Sequence, residues 1–323
     1  MHSGTYNNAR QLLSALGRHI DKRSHKRKPA ENPSLAFNQY RQGQAQRVSL
    51  LNNLLVEVEP GYRLKLAKAP DIADACHAAF LPLSAPALIP LRQLLGAVSA
   101  WEWRKKGVTI AGLDKPLAIH YGVFSPVRGE YLKLVQEAPL PARPIETAVD
   151  LGTGTGVIAA LLAKRGIQHI IATDTNPLAL ACAAENFERL DLARNTTLLD
   201  TDTFPDGEFD LVVCNPPWLP GRPTSSLESA VYDPDSRMTR HFLEKLGSHL
   251  SPQGEGWLIM SDLAELLGLR PHNAIASWIK SGGLRTLARH TTRPVHPRAG
   301  NASDPLHNAR SRETTTLWRL TKA

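Results

Sequence analysis

The sequence predicts an α/β fold, in which a mostly parallel sheet is covered by helices on both faces and follows a smaller, largely helical N-terminal domain. Two observations predict it: apolar strand-like runs alternate with helical patterns after residue 145, and a glycine-rich turn joins the first of these strands to the first helix. Such alternation is typical of parallel sheets. Because 323 residues exceed one ordinary domain of about 100–200 residues, we expect two domains, 1–110 and 111–323.

The predicted N-terminal domain begins with a polar helical stretch that ends in a basic run from Arg18 to Lys28. This run predicts either a solvated surface or an arm that contacts phosphates. Pro29 and Pro33 interrupt the chain, and leucine pairs at helical spacing then predict helices between residues 35 and 95. A β-hairpin is predicted within 101–124, where it would join the two domains.

The predicted C-terminal domain alternates strand and helix in regular order. Its predicted strands are 147–151, 170–173, 196–199, 209–214, 257–261, 284–288 and 314–320. Its predicted helices are 157–165, 177–190, 238–250 and 274–279. Asn176 and Pro177 supply the N-cap and the first residue of the second of these helices. Ligands bind at the carboxyl ends of the strands in such sheets, so the functional residues are expected in the loops there.

The composition indicates a globular protein of the cytoplasm with a basic surface. The formal net charge is +8 and the pI about 9.5, which favours RNA or a ribonucleoprotein as partner over a merely basic enzyme. The cysteines Cys76, Cys182 and Cys214 form no CxxC pair, so neither disulfides nor a metal site is predicted. The polar N-terminus lacks a signal core, and no apolar run reaches the roughly 20 residues of a membrane span.

The strongest local motif is the glycine-rich turn between the strand at 147–151 and the helix at 157–165. Residues 150–156 read Asp-Leu-Gly-Thr-Gly-Thr-Gly. Glycines let a ligand approach the backbone, and the helix N-terminus behind them favours polar or negative ligand groups. Dinucleotide-binding oxidoreductases use similar turns, and a tight structural turn is also compatible, so this motif alone does not identify the ligand.

Two acidic residues near the ends of later strands suit a nucleoside ligand. Asp174 ends the second strand, where a carboxylate accepts hydrogen bonds from ribose hydroxyls. Asp202 follows the third strand and would accept a hydrogen bond from an adenine amino group, with Asp200 as the competing residue. The alternative for each is an ordinary turn or loop carboxylate. We therefore expect a nucleoside with free hydroxyls, without a commitment to one cofactor.

The discriminating motif is Asn215-Pro216-Pro217-Trp218, directly after the strand at 209–214. Two consecutive prolines fix the backbone and remove two donors, so the Asn215 amide and the Pro216 carbonyl would face the site as acceptors. Both would accept hydrogen bonds from a substrate NH2 group, which aims the nitrogen lone pair at an electrophilic methyl group. Trp218 offers a flat face for a base or an amide, or else is an aromatic residue at the rim of the core.

In this order and spacing, residues 150–156, Asp174 and residues 215–218 resemble the class I S-adenosylmethionine-dependent methyltransferases of the Asn-Pro-Pro-aromatic type. The resemblance spans roughly residues 120–323. It implies a Rossmann-like domain with a mostly parallel seven-stranded sheet, S-adenosylmethionine as the cofactor, and no metal. The residues that it implies for cofactor binding are Phe124, Asp150, Gly152, Thr153, Gly154, Gly156, Asp174, Asp202 and Asn215. Those implied for catalysis are Asn215, Pro216, Pro217 and Trp218.

The resemblance implies a nitrogen acceptor and leaves the substrate open. The family includes amino methyltransferases of DNA and RNA bases and the release-factor glutamine methyltransferases. The basic composition and the basic segment 290–312 favour an exocyclic amino group in ribosomal or transfer RNA, with a protein glutamine as the alternative. Segment 232–237 lacks the glycines of the glutamine methyltransferases, and Trp218 stands where they usually have Tyr. A nucleotide-dependent oxidoreductase or a non-catalytic nucleic-acid-binding protein would leave the Asn-Pro-Pro-Trp motif unexplained.

Overall fold

A computed structural model of the chain describes residues 4–24, 30–126, 129–202, 204–295, 301–302 and 304–323. The chain divides into two compact units, Met1–Lys106 and Gly107–Ala323. Each unit has its own buried apolar cluster, so each is described by itself below.

The first unit combines helices with a small antiparallel sheet. Its helices are α1 (Tyr6–Ser24), α2 (Pro33–Asn52), α3 (Ala73–His77) and α4 (Leu91–Lys106), and its strands are β1 (Leu55–Glu59), β2 (Arg63–Leu64) and β3 (Ala87–Pro90). β1 lies between the other two strands and pairs antiparallel with both. The sheet is an addition to the largely helical domain that the sequence predicts. Residues 101–106 continue α4, so the predicted hairpin is reduced to one antiparallel bridge between Val108 and Leu117.

Local sequence explains two elements of this unit. α2 begins where the side-chain oxygen of Asn32 accepts hydrogen bonds from the N–H groups of Ser34 and Leu35, at 2.9 and 3.1 Å. Residues 56–59 of β1 alternate apolar and charged side chains, and Val56 and Val58 point inward and are fully buried. The inward face of β1 and the apolar face of α4 then belong to one core.

The second unit holds the remaining elements. Its helices are α5 (Glu130–Glu137), α6 (Val157–Lys164), α7 (Pro177–Arg189), α8 (Ser226–Ser229), α9 (Arg237–His249), α10 (Leu263–Leu266), α11 (Ala274–Ser281) and α12 (His307–Arg310). Its strands are β4 (Thr147–Leu151), β5 (His169–Asp174), β6 (Thr196–Asp200), β7 (Phe209–Cys214), β8 (Leu250–Ser261), β9 (Leu284–Thr292) and β10 (Thr315–Lys322). The seven strands and four of the helices lie where the sequence predicts them, with shifts at their ends.

The seven strands form one mostly parallel sheet in the order β6-β5-β4-β7-β8-β10-β9. β4 pairs parallel with β5 and β7, and β8 continues the parallel set, whereas β10 runs antiparallel between β8 and β9. The chain leaves β4 toward β5 on one side and later returns to β7 on the other. The strand order therefore reverses at β4, and a ligand crevice is expected at the carboxyl ends of β4 and β7. The predicted α/β fold class is confirmed.

Apolar side chains cover both faces of this sheet. On one face, α6 packs against Ala148 of β4 and Trp257 of β8, and both are fully buried. On the other face, α9 packs against Val149 and Val212. Because successive strand residues point to opposite faces, Asp150 follows Ala148 onto the α6 side, where it is 1% exposed. A buried carboxylate is thus placed at the switch point of the sheet.

Candidate functional site

The glycine-rich turn lies at the carboxyl end of β4, as the sequence predicts. Gly152, Gly154 and Gly156 all have a left-handed backbone, with φ of +79°, +57° and +79°. A Cβ on Gly156 would lie 2.8 Å from the Phe187 ring, so this position is closed to any side chain. A Cβ on Gly154 would meet no atom within 4 Å, so the backbone of the turn is open to a ligand at that point.

Asp150 is an acceptor held in one orientation beneath this turn. Its Oδ2 accepts hydrogen bonds from Thr153 Oγ1 at 2.7 Å and from the Ala159 N–H at 3.0 Å. Its Oδ1 is buried and has no hydrogen-bond partner among the described residues. Burial raises the pKa of Asp150 to about 6, because the charged form is desolvated. An ammonium group of a ligand would satisfy Oδ1 and restore the charge, which fits the amino acid end of S-adenosylmethionine.

Asp174 ties the end of β5 to the glycine-rich turn. Its Oδ2 accepts a hydrogen bond from the Gly154 N–H at 2.9 Å, and its Oδ1 accepts one from the Asn176 N–H at 2.9 Å. Each carboxylate oxygen can accept a further bond, so two ribose hydroxyls can still be held. The structure thus brings Asp150, the turn and Asp174 together at one sheet edge.

Two further residues predicted for cofactor binding, Asp202 and Phe124, are exposed. The Thr201 N–H donates to the Asp174 carbonyl at 3.3 Å, which places Asp202 just beyond β6, and the Asp202 side chain is exposed. Phe124 is 38% exposed. The roles of both residues stay predictions, as does the competing role of Asp200.

The Asn-Pro-Pro-Trp motif forms the loop directly after β7, and a hydrogen bond within the motif holds this loop. The Trp218 indole N–H donates to Asn215 Oδ1 at 2.9 Å. Pro216 is buried, and Asn215 and Trp218 are half-buried. This bond identifies which amide atom of Asn215 is oxygen and leaves its second lone pair for another donor. The motif therefore presents one oriented acceptor, whereas the role of Trp218 as a stacking face for substrate stays a prediction.

Trp218 itself is built into the protein on two sides. Its ring packs against the apolar clusters of both sheet faces and meets the ring of Tyr131 edge-to-face, with centroids 6.3 Å apart. Tyr131 lies on α5 and is buried; burial raises the pKa of its hydroxyl, and the nearby charge of Asp150 raises it further. Sequence reasoning missed Tyr131. The available signal was its place in an amphipathic helix shortly after Phe124, which is predicted to bind the cofactor.

Asp233 anchors the chain that follows the motif, and it was also missed. The Asp233 N–H donates to the Leu219 carbonyl at 2.9 Å, and the Leu219 N–H donates to the Val231 carbonyl at 3.2 Å. The Asp233 carboxylate accepts hydrogen bonds from the N–H groups of Met238 and Thr239, at 3.0 and 3.2 Å, in the first turn of α9. Asp233 thus joins the loop of residues 215–219 to α9. Its position shortly before a predicted helix was the available signal.

α9 in turn reaches the glycine-rich turn. A Cβ on Gly152 would lie 2.9 Å from Cε of Met238, the second residue of α9. Burial raises the pKa of Asp233, and its bonds to the α9 N–H groups oppose this effect. The glycine-rich turn, the Asn-Pro-Pro-Trp loop and the start of α9 therefore form one connected site at the carboxyl ends of β4, β5 and β7.

Two arginines of the basic segment 290–312 form contacts within that segment. Arg310 forms an ion pair with Asp304, and the Arg312 Nε donates to the Asn308 carbonyl at 2.9 Å. These contacts disfavour both arginines as phosphate ligands. Residues 296–300, which include His296 and Arg298, lie outside the described residues, as do residues 25–29 of the predicted basic arm.

Two absences concern only the part of the chain that the structure describes. Within the described ranges, no cluster of three or more metal-ligating side chains occurs. No helix there combines the length and apolarity of a membrane crossing.

Comparisons with known proteins agree with this geometry. The family model of the methyltransferase small domain matches residues 119–266, which include the glycine-rich turn, Asp174 and the Asn-Pro-Pro-Trp motif. A release factor glutamine methyltransferase from Cereibacter sphaeroides is 42% identical over 119 residues, which are 36% of this chain and 39% of that protein.

Two further relatives are named for other substrates. A ribosomal protein L11 methyltransferase from Burkholderia lata is 28% identical over 165 residues, 51% of each chain. A tRNA1(Val) (adenine(37)-N6)-methyltransferase from Cytophaga hutchinsonii is 28% identical over 146 residues, 42% of this chain and 59% of that protein. The chain thus spans between 39% and 59% of the length of these three relatives.

The matched region holds the elements that carry the site, from the segment before α5 through α10. The match agrees with the predicted enzyme class and with S-adenosylmethionine as the predicted cofactor. The chain is therefore similar to the methyltransferase small domain over residues 119–266, a stretch that carries strands β4 to β8 of the seven-stranded sheet.

Proposed function

We propose that the whole chain is an N-methyltransferase that acts on the exocyclic amino group of a base in RNA, ribosomal or transfer. The single observation that carries the reaction type is the oriented acceptor at the end of β7, where Trp218 Nε1 bonds Asn215 Oδ1 at 2.9 Å. A planar NH2 group is a donor that such an acceptor can hold. Two acceptors in one fixed loop, the Asn215 amide and the Pro216 carbonyl, match its two N–H bonds.

The cofactor would lie across the carboxyl ends of β4 and β5. In this proposal Asp150 and the turn of Gly152, Thr153, Gly154 and Gly156 hold the amino acid end. Asp174 holds the ribose hydroxyls. Phe124 covers the methionine end, and Asp202 is assigned to the adenine amino group. Asn215, at the end of the adjacent strand β7, is then next to the methyl group.

The chemistry follows from where the protein holds the substrate nitrogen. S-adenosylmethionine supplies an electrophilic methyl group on a sulfonium. Asn215 and the Pro216 carbonyl accept hydrogen bonds from the two N–H groups of the substrate nitrogen. These bonds turn the nitrogen lone pair toward that methyl carbon. The C–N bond forms as the C–S bond breaks, the electron pair of that bond stays on sulfur, and the extra proton leaves the nitrogen for solvent. Catalysis is then mainly positioning, which is worth several powers of ten in rate when the reacting atoms are aligned.

The choice of RNA as substrate rests on where the positive charge lies. Residues 1–106 contain 16 Lys and Arg against 7 Asp and Glu, whereas residues 107–323 contain 22 against 23. The first unit is therefore strongly basic and the second is close to neutral. Clustered cations attract phosphates and release their counterions, and a near-neutral catalytic unit needs such a partner to hold a polyanion.

A protein glutamine is the second candidate, because a specific observation favours it. The match to the release factor glutamine methyltransferase from Cereibacter sphaeroides reaches 42% identity, although it covers only 36% of this chain. The amide nitrogen of glutamine is also a planar NH2 group, so Asn215 and Pro216 suit it equally. Trp218 and the glycine-free segment 232–237 disfavour this candidate, as in the sequence analysis.

Methyl-labelled S-adenosylmethionine tests the proposal. The protein is incubated with an extract of cells that lack it, and the labelled products are then digested with ribonuclease, deoxyribonuclease or protease. We expect ribonuclease to release the label in methylated nucleotides. Label released only by protease would refute the RNA assignment and favour the protein glutamine candidate, and no label in any fraction would refute the reaction itself. Asn215→Ala serves as the paired negative variant.

A further inference from the structure

The last turns of α4 combine aromatic rings and cations. Residues 101–106 read Trp-Glu-Trp-Arg-Lys-Lys, and we call them the α4 patch. Of the chain's six tryptophans, all within the described residues, Trp103 alone is largely exposed, at 51%. The core of the first unit takes leucines of α4, such as Leu91 and Leu94, and neither tryptophan. Folding of the unit therefore does not explain why an indole is exposed at Trp103.

Cations lie beside both rings of the α4 patch. Arg104 Cζ lies 5.5 Å from the centroid of the Trp101 ring, and Lys105 Nζ lies 5.9 Å from it. Lys106 Nζ lies 5.8 Å from the centroid of the Trp103 ring. Spacings of three and four residues place each pair on one face of the helix. The α4 patch thus presents flat apolar surface and positive charge side by side.

The helix dipole accounts for part of this pattern. Cations in the last turn of a helix interact favourably with its dipole, so the three basic residues alone need no ligand. That explanation does not extend to Trp103. Lys105 pairs with Glu102 at 2.7 Å, but both side chains are more than half exposed, so the pair is weak and open to exchange with a phosphate.

We propose that the α4 patch binds a single strand of RNA, with a base stacked on Trp103 and the neighbouring phosphates held by Arg104, Lys105 and Lys106. The inference rests on the proposed function, because RNA is the substrate proposed there. A π-face and adjacent cations are the two features that single-stranded nucleic acids select. The strongly positive first unit gives the same charge complementarity at longer range.

The test measures RNA binding directly, apart from methyl transfer. The full chain is titrated into a fluorescein-labelled single-stranded oligoribonucleotide of about 15 nucleotides, within the range that such surfaces cover. Anisotropy is recorded at several salt concentrations. We expect Trp103→Ala to weaken binding about tenfold, since one stacked base contributes on that order. Trp103→Phe keeps an aromatic face and should retain most of the affinity, which separates loss of stacking from a folding defect.

A charge-matched pair of triple variants tests the cations. Replacing Arg104, Lys105 and Lys106 by Ala should reduce the slope of log affinity against log salt by about 2, because each phosphate contact on a single strand contributes about 0.7. The control replaces three exposed cations elsewhere in the same unit by Ala: Arg63, Lys65 and Lys68. It removes the same net charge and should leave the slope nearly unchanged.

The outcomes separate this inference from the proposed function. Equal slopes for the two triple variants, unchanged affinity in Trp103→Ala, or no binding of the oligoribonucleotide by the wild-type chain would each overturn the inference about the α4 patch. The extract labelling decides the substrate independently. Label in protein would refute the RNA substrate, and selective RNA binding at the α4 patch would still stand as a binding result.

Discussion

Trp218→Phe removes the indole N–H from Asn215 and keeps an aromatic ring in place. In the wild-type protein that N–H fixes Asn215 Oδ1 at 2.9 Å and so selects one of the two flipped orientations of the amide. A hydrogen bond of this kind contributes about 1 kcal/mol net. The loss of about 1 kcal/mol changes the ratio of the two amide orientations about fivefold, so kcat falls by up to about fivefold if the flipped amide, which offers NH2 in place of oxygen, cannot hold the substrate.

The assay follows initial rates on the labelled fraction from the extract at saturating cofactor, beside calorimetric titration of S-adenosylmethionine. We expect kcat to fall by up to about fivefold and the Kd of the cofactor to stay unchanged, because the lost bond lies on the substrate side of the site. Trp278→Phe is the control: that tryptophan packs against the same apolar cluster, under the guanidinium of Arg240, and lies outside the motif. Unchanged kcat in Trp218→Phe, or equal losses in both variants, would contradict the role assigned to this bond.

Three further predictions concern the same site. Asn215→Ala should bind S-adenosylmethionine normally in calorimetry and lose at least about a hundredfold in kcat, as expected for a lost transition-state acceptor; surviving turnover would refute the mechanism. Burial raises the pKa of Asp150 from 3.8 to about 6, so ionisation opposes folding: without cofactor, the free energy of unfolding should drop by on the order of 3 kcal/mol between about pH 4 and pH 7. Asp150→Asn should abolish that drop in denaturant melts and weaken cofactor binding. Asp233→Ala should destabilise the protein by about 1–2 kcal/mol in the same melts through loss of the α9 cap, and should lower kcat more than Ser225→Ala, which removes the cap of the short helix α8.

The central strands were predictable from sequence because they are buried on both faces. β7 is buried at every residue, and it has the predicted bounds, 209–214. The edge strand β9 was predicted to end at residue 288 and runs to Thr292, because its exposed Arg, His and Thr residues resemble a loop until their pairing with β10 is known. β8 likewise begins seven residues before its predicted start, in a polar stretch that pairs with neighbouring strands.

The first unit was harder to predict. Residues 56–59 of β1 alternate as in a half-buried strand, but this short run lies between longer helical patterns, and its partner β3 comes about thirty residues later. Short strands paired over such a distance leave little local signal, because the pairing is decided by tertiary contacts. α2 lies almost entirely within the region predicted as helical, whereas most of α4 lies beyond it.

Part of the candidate site was predictable from sequence, and part of it was not. Asp150, Asp174 and Asn215 could be placed near one another from sequence, because the carboxyl ends of adjacent parallel strands share one edge of a sheet. The bond from Trp218 to Asn215 and the link from Leu219 through Asp233 to α9 depend on loop conformation. Neither spacing nor residue type determines that conformation, so these contacts could not be predicted from the sequence.

Under the proposed function, the uneven distribution of charge between residues 1–106 and 107–323 would make target choice and chemistry separately adjustable. Raised salt should weaken capture of a polyanionic target, and so raise KM, while kcat at saturation stays nearly constant, because screening acts on exposed charges and little on a buried site. Sequence drift in the first unit would then redirect the enzyme to new targets without disturbing methyl transfer. A chimera that joins residues 107–323 to a different RNA-binding module would, on the same reasoning, be a retargeted methyltransferase.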